Sequence, residues 1–227
     1  MHATHEARPR CATRALAAVL IAGVASAACS KAAAPGTTLS PSTARESAMS
    51  AQSDAIAIDR LPAGTAHAIR VQSRSLQPQA PIDARYTAYG DGMSPAIEWT
   101  PVDGARAYAL LLEDPDAHQP QPFVHWLAWN IPADVHALPE DIAKQARPAQ
   151  PAGMHQGRNS RHASGYFGPR PPAGDPPHHY HFEVFALDAP LDLADDSDRD
   201  AFVAAIGGHV IGKGELVATS QAPAGAH

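Results

Sequence analysis

The stretch "GYFGPRPPAGDPPHHYHFEVFALD" (residues 165–188) joins a rigid loop to an apolar segment. Its five prolines exclude a helix in the loop, because each proline fixes its own φ and restricts the residue before it. The apolar segment has the two-residue alternation of a strand, which places His178 and Tyr180 on one face and His179 and His181 on the other. We therefore expect a shaped loop at the beginning of a buried strand.

Outside this stretch, the sequence also predicts a strand-dominated fold. Short apolar or alternating runs bounded by Pro, Gly or Asp are typical of strands, and they occur at "AIRVQSRSL", "AYALLLE", "FVHWLAWNIP" and "HVIGKGELVAT". One helix is predicted at "DRDAFVAAI", with Asp195, Asp196 or Ser197 as its cap and Gly207 and Gly208 at its end. The predicted fold is mainly β: an antiparallel β-sandwich with a few short peripheral helices.

Charge and cysteine content restrict the classes of function. The 227 residues carry a formal net charge of −6 without a Lys/Arg-rich block, so nucleic-acid binding has no electrostatic basis. The two cysteines, Cys11 and Cys29, both precede the predicted folded part, which therefore has no disulfide.

The first 29 residues have the pattern of a secretory signal. Arginines precede the apolar run "ALAAVLIAGVASAA", which is too short for a comfortable membrane span. "SAAC" (residues 26–29) resembles the bacterial lipoprotein signal, in which the cysteine, here Cys29, is lipidated. Simple cleavage after "ASA" or "SAA" and an uncleaved anchor are the alternatives. We predict export to the bacterial periplasm or cell envelope, with membrane attachment through the N-terminal lipid only.

Four regions follow from this organisation. Residues 1–29 are the predicted signal peptide and residues 30–53, which lack aromatic side chains, a flexible linker. Residues 54–220 form the predicted domain, and residues 221–227 a disordered tail.

Three groups of residues can carry chemistry. Asp114 and Asp116 follow an apolar strand in "EDPDAH", where they either orient an imidazole or only form an Asp-Pro turn. His125 lies inside an apolar strand and is either a site residue or a core histidine with a hydrogen-bond partner. The third group is the histidine-rich segment after the proline loop, where His178 and Tyr180 share a face.

Metal binding and nucleophilic catalysis have weak support in the sequence. His179 and His181 have His-x-His spacing, but no HExxH or paired CxxC accompanies them. Ser160 and Ser164 lie near histidines without a GxSxG elbow. We assign no metal, no cofactor and no catalytic residue.

The ordered motifs resemble the phosphatidylethanolamine-binding protein family, most closely its bacterial Raf kinase inhibitor-like branch. The similarity extends from about residue 68 to about residue 219 and includes "YTAYGDGMSPAIEW", the Asp-Pro-Asp and His-Trp pairs, "GYFGPRPP" and "GGHVIGKGEL". The resemblance implies a phosphatidylethanolamine-binding protein-like domain: a β-sandwich with a small anion pocket near its surface. Two residues depart from the family pattern, His118 where Pro is common and His162 where Gly is common.

The resemblance also implies the ligand-binding residues by matching motif positions. They are Asp114, Asp116, His125, Gly168, Pro169, His178 and Tyr180. The loop would offer backbone N–H groups and His178 to an anion, and tighter binding is expected at mildly acidic pH because protonated imidazoles make the stronger hydrogen bonds to phosphate.

These features are compatible with three functions. The leading interpretation is an extracytoplasmic binding module for a small anion or phosphorylated head group, without catalytic turnover. The second is an inhibitor or docking protein that acts on a protease or another cell-surface protein. The third is a weak hydrolase that uses the Asp and His side chains as general acid and base.

Overall fold

The computed structural model describes residues 55–61 and 67–226. The predicted signal peptide, Cys29 and the linker lie outside the described residues. Within these ranges, no helix is long and apolar enough to cross a membrane.

Within the described residues, nine strands form two sheets, and the domain is mainly β as predicted from the sequence. The larger sheet has the order β1-β9-β8-β4-β5-β7 and the smaller one the order β2-β3-β6. The strands are β1 (His67–Ala68), β2 (Val71–Gln72), β3 (Ile97–Trp99), β4 (Ala107–Asp114), β5 (Phe123–Pro132), β6 (Ala137–Leu138), β7 (His155–Gln156), β8 (His178–Leu187) and β9 (Val210–Ser220). These strands pair antiparallel except β1 with β9, which are parallel.

The larger sheet is covered on both faces. One core cluster lies on the face shared with the smaller sheet and contains Trp99 and Leu110, and the other contains Leu111 and Phe202 under the helices. All eight residues of β4 are buried, because this strand lies between β5 and β8 and is covered on both faces. A continuous apolar run is the pattern that such a strand requires.

In the part of the chain that the structure describes, three short helical segments lie at the periphery. They are α1 (Ala57–Arg60), a 3₁₀ turn (Ala84–Tyr86) and α2 (Arg199–Ile206). The predicted helix is α2, but the predicted caps were wrong. Asp198 is the cap, and its carboxylate accepts the Ala201 N–H at 3.1 Å. One turn of helix, as in α1, is too short to give the 3.6-residue periodicity that a sequence pattern needs.

The segment predicted as one alternating strand, "AIRVQSRSL", forms parts of two strands in different sheets. β1 pairs with β9 in the larger sheet and β2 with β3 in the smaller one, so the chain crosses between sheets at Ile69. The crossing brings the Ile69 backbone against Gly214, where a β-carbon would lie 1.9 Å from the Ile69 carbonyl oxygen. The close approach therefore requires glycine.

We predict that Gly214→Ala lowers the free energy of unfolding by about 3 kcal/mol, because backbone atoms must shift to make room for the methyl group. Gly208→Ala is the matched control, since a β-carbon there meets open space. Urea unfolding of both variants measures the difference. Equal midpoints for the two variants would contradict the crossing geometry.

Candidate functional site

A pocket of about 250 Å³ opens at one end of three adjacent strands. β4 ends there at Asp114, and its neighbours β5 and β8 begin there at Phe123 and His178. The proline loop before β8 forms the opposite wall. The lining residues are Asp114, Ala117, His118, Gln119, Phe123, His125, Arg161, Phe167, Arg170, Pro171, Pro172 and His178.

His178 lies between two carboxylates at the base of the pocket. Its Nδ1 is 2.9 Å from an Asp114 oxygen, and its Nε2 is 3.2 Å from an Asp175 oxygen. Burial opposes the charge of the ring, but hydrogen bonds to Asp114 and Asp175 outweigh it and hold the pKa of His178 above its ordinary value. The two contacts favour the imidazolium form, in which each ring N–H group donates to a carboxylate.

His125 has the opposite protonation state. Its Nδ1 donates to the Phe167 carbonyl at 2.8 Å, which fixes the neutral tautomer and leaves the lone pair on Nε2. That Nε2 lies 4.0 Å from the nearer Asp114 oxygen, too far for a hydrogen bond. Burial therefore lowers the pKa of His125 to about 4. The sequence did not decide whether His125 is a site residue or a core histidine. In the structure, His125 is buried and is also part of the pocket wall.

Tyr180 lies beneath the pocket rather than in its wall. Its ring meets the His125 ring edge-on, with 5.2 Å between centroids, and the side chain is fully buried. Burial and the Asp114 charge raise the pKa of its hydroxyl, so the phenol stays neutral. Tyr180 thus supports His125 from below.

Two loop residues singled out from the sequence, Gly168 and Pro169, also lie outside the pocket wall. A β-carbon on Gly168 would lie 2.6 Å from the Ala88 nitrogen, and the Pro169 carbonyl accepts the Ala88 N–H at 2.9 Å. These residues fasten the proline loop to the segment after the 3₁₀ turn. A proline has no N–H to offer a ligand.

Asp116 turns away from Asp114. Its carboxylate accepts the backbone N–H of His179 at 2.7 Å and faces the ring Nδ1 of the same residue at 2.8 Å. This contact ties the turn after β4 to the first residues of β8. The structure therefore brings Asp114, His125 and His178 together in the pocket and places Asp116 beside it.

The His-x-His pair does not converge on one point. His179 contacts Asp116, whereas the ring of His181 faces Glu215 at 2.8 Å. Over residues 55–61 and 67–226, no three His, Cys, Asp or Glu side chains are grouped to hold a metal ion.

Sequence reasoning missed the basic and aromatic parts of the wall. Arg161 stacks over Phe167, with its guanidinium carbon 5.5 Å from the ring centroid, and Arg170 stacks in the same way over Tyr89 at 5.6 Å. The arginine within "GPRPP" could have indicated a basic pocket wall, because a charged residue inside a rigid proline loop has few possible orientations. His118, noted as a departure, lies at the mouth with Nε2 3.4 Å from Asp175.

The other departure, His162, adopts a left-handed backbone with φ of 59°. Glycine adopts this conformation without strain, which explains why glycine is common at this position in the family. His162 is exposed and does not line the pocket.

A two-sheet β fold with a small pocket at the ends of buried strands is an architecture typical of binding proteins. The model of the phosphatidylethanolamine-binding protein family matches residues 72–221. The chain belongs to this family, as its motifs indicated.

Individual relatives agree with this assignment. A UPF0098 protein of Pyrococcus abyssi is 42% identical over 137 residues, which cover 60% of this chain and 76% of that protein. LppC of Mycobacterium tuberculosis, named as a candidate lipoprotein, is 32% identical over 160 residues, covering 70% of this chain and 76% of its own. The crystal structure of Escherichia coli YbcL, described as a member of the mammalian family, superposes with a TM-score of 0.65 at 28% identity and covers 68% of this chain and 99% of that one.

The neutral state of His125 makes the fold sensitive to acid. The unfolded chain takes up a proton near the ordinary pKa of about 6.5, whereas the folded chain does so only near 4. Stability should therefore fall as pH drops from about 6.5 to about 4, by up to about 3 kcal/mol from this residue. We expect His125→Gln to unfold more easily at neutral pH but to have a shallower slope in this window.

Urea unfolding at a series of pH values measures that slope. His67→Gln is the control, because His67 is exposed on an edge strand. Since carboxylates titrate in both proteins, the comparison uses the difference in slope between the two variants. An identical slope in His125→Gln and His67→Gln would contradict a neutral, buried His125.

Proposed function

We propose that this protein is an exported binding module whose pocket takes a small anion, including the phosphorylated head group of a lipid, without chemical turnover. The observation that carries the proposal is a pocket of about 250 Å³ whose wall combines basic side chains with apolar surface. Pockets for drug-sized ligands have volumes of roughly 300–1,000 Å³, so this smaller pocket suits a head group rather than a whole lipid. The basic residues are His118, Arg161, Arg170 and His178.

The composition of the wall also favours binding without turnover. The lining residues include no Ser, Thr, Cys or Lys that could form a covalent intermediate. Both ring nitrogens of His178 are committed to carboxylates, and His125 keeps only the Nε2 lone pair free. Because burial lowers the pKa of His125 to about 4, that nitrogen is a weak base for proton transfer at neutral pH.

The proposed location is the bacterial cell envelope, with Cys29 as the lipidated residue. It is supported by the "SAAC" sequence and by the lipoprotein name of the mycobacterial relative. A lipid anchor followed by a linker would hold the pocket close to a membrane surface, where phosphorylated head groups are abundant. Docking of a protein partner at the pocket is the alternative.

Calorimetric titration of the full-length protein with inorganic phosphate and with phosphoethanolamine, at about pH 6, tests the proposal. We expect saturable binding that Ala117→Trp abolishes, because the indole would fill the pocket without replacing the buried Asp–His pair. Ala204→Trp is the control, since Ala204 is exposed on α2. Absence of heat with both ligands would instead favour a protein partner.

A phosphoesterase assay with p-nitrophenyl phosphate tests the absence of turnover. We expect the wild-type rate to equal that of Asp114→Ala. Turnover that disappears in Asp114→Ala would assign the pocket to a hydrolase instead.

Anion binding should weaken as pH rises through the raised pKa of His178. The groups that face this ring are Asp114, Asp175, His118 and His125, so loss of its proton leaves two carboxylates uncompensated at the base of the pocket. Sulfate is the suitable probe, because its own charge is constant over this range. We expect its affinity to fall as the pH rises above the ordinary histidine pKa of about 6.5.

The His178→Gln variant should remove most of this pH dependence, and His179→Gln, an exposed change outside the pocket, should keep it. An affinity for sulfate that stays flat or rises with pH in the wild type would contradict a charged His178 in the pocket.

A further inference from the structure

We propose that residues 55–61 form a strap that closes over the outer face of the larger sheet and opens when Glu183 loses its proton. The outer face is the one that α1 and α2 cover. The strap leads from the predicted linker towards β1, so its opening would lengthen the connection to the domain. This inference concerns the face opposite the smaller sheet and does not depend on anion binding in the pocket.

Two cationic side chains hold the carbonyl groups of the strap. The Arg199 guanidinium donates to the Ala55 carbonyl at 2.8 Å. The Lys213 ammonium donates to the carbonyls of Ile58 and Leu61 at 2.6 Å and 3.0 Å. These contacts fix the strap at both of its ends.

Two buried carboxyl groups hold the amides between those ends. Glu113 accepts the Ala57 N–H at 2.6 Å, and Glu183 accepts the Ile58 N–H at 3.2 Å. Both glutamate side chains are fully buried. All of these bonds go to backbone atoms of the strap, so its polar attachment depends on the charge state of the surrounding cluster.

This cluster contains one more carboxyl group than it contains cations. Arg199 and Lys213 can balance Glu113 and Glu215, and Glu215 lies directly opposite Glu183 on β9. No cation is left for Glu183, and its Oε1 has no hydrogen-bond partner among the described residues. Because burial of an uncompensated charge is costly, Glu183 keeps its proton while the strap is closed.

The ionisable groups around Glu183 come from each element that surrounds it. The His181 ring, on the same strand, contacts Glu215 at 2.8 Å. On the strap, Asp59 is exposed and Arg60 is half-buried. The remaining groups are Glu113 on β4, Lys213 and Glu215 on β9, and Arg199 on α2. Burial and the charge of Glu113 raise the pKa of Glu183 well above its ordinary value.

A raised pKa in the closed state makes alkaline pH favour the open strap. With the strap open, water reaches Glu183 and its pKa returns towards the ordinary value of about 4.5. Opening therefore releases a proton at any pH between the ordinary and the raised pKa. In that window the open fraction should rise by up to about tenfold per pH unit, and below it the strap stays closed.

Opening of the strap would change the reach of the domain. An extended chain spans at most about 3.5 Å per residue, so release of residues 55–61 would add up to about 25 Å to the tether. In a chain anchored at Cys29, the pocket could then stand further from the membrane at alkaline pH than at acidic pH.

Hydrogen exchange of the full-length protein from about pH 5 to about pH 9, corrected for the intrinsic chemical rate, tests the proposal. Protection of the Ala57 and Ile58 amides should fall by up to about tenfold per pH unit, whereas the amides of β4 should stay protected because the domain remains folded. Glu183→Gln keeps an acceptor for the Ile58 N–H but cannot ionise, so its strap should stay protected throughout. Glu98→Gln is the matched control, since it removes one carboxylate from β3 in the smaller sheet and should keep the wild-type slope.

Protection of the strap that is constant with pH in the wild type, or that falls as steeply in Glu183→Gln, would overturn the inference. An equal loss of protection in β4 would also overturn it, because the whole domain would then be opening. Trypsin cleavage after Arg60 in the wild type is a second readout that needs no variant. Its rate relative to cleavage after Arg45, in the predicted linker, should rise with pH, and an unchanged ratio would contradict an opening strap.

Discussion

Complete burial of β4 is the constraint on which the rest of the structure depends. The strand is covered on both faces, yet it ends in two carboxylates, Glu113 and Asp114, that are also buried. Unpaired buried charges are costly, so each must find a partner on its own face of the sheet. Because neighbouring residues of a strand point to opposite faces, the two partners belong to different layers of the protein.

On the outer face, Glu113 organises the N-terminal segment of the described domain. It pairs with Arg199 of α2 and accepts the Ala57 N–H of α1 at 2.6 Å. Glu183 of β8 accepts the next amide, that of Ile58, at 3.2 Å. Burial and the nearby charge of Glu113 raise the pKa of Glu183 well above its ordinary value, so the pair avoids two adjacent negative charges. The outer carboxylates therefore hold the α1 segment in place.

On the inner face, Asp114 organises the pocket. It fixes His178 at the beginning of β8, and together with Asp175 it raises the pKa of that ring. His125 on β5 lies within 4.0 Å of the same carboxylate but remains neutral, because burial outweighs its hydrogen bond to a backbone carbonyl. The pKa values of two buried histidines around one aspartate thus shift in opposite directions, because two carboxylate partners offset burial at His178 and no carboxylate bonds to His125.

The sequence predicted the strands and the site residues at their ends, because these depend on a local pattern. It did not predict the site residues whose positions depend on the path of a loop. Apolar periodicity was sufficient to place β4, β5, β8 and β9, and with them Asp114, His125 and His178, since strand ends meet at one edge of a sheet. Asp116 follows Asp114 by two residues but lies past Pro115, where the chain turns and its carboxylate caps the start of β8. No spacing rule predicts that turn.

The positions of Arg161 and Arg170 could not be predicted from the sequence for a similar reason. An exposed arginine has no periodic pattern, and its position is decided by the loop that carries it. Here Arg161 and Arg170 lie on one continuous loop segment that Gly168 fastens against residues 86–88, where any β-carbon would collide with backbone. That close approach fixes how the loop passes over the end of β4. Gly168 therefore shapes the pocket without lining it. The positive charge at the mouth of the pocket follows from the path of this loop, because the loop carries both arginines.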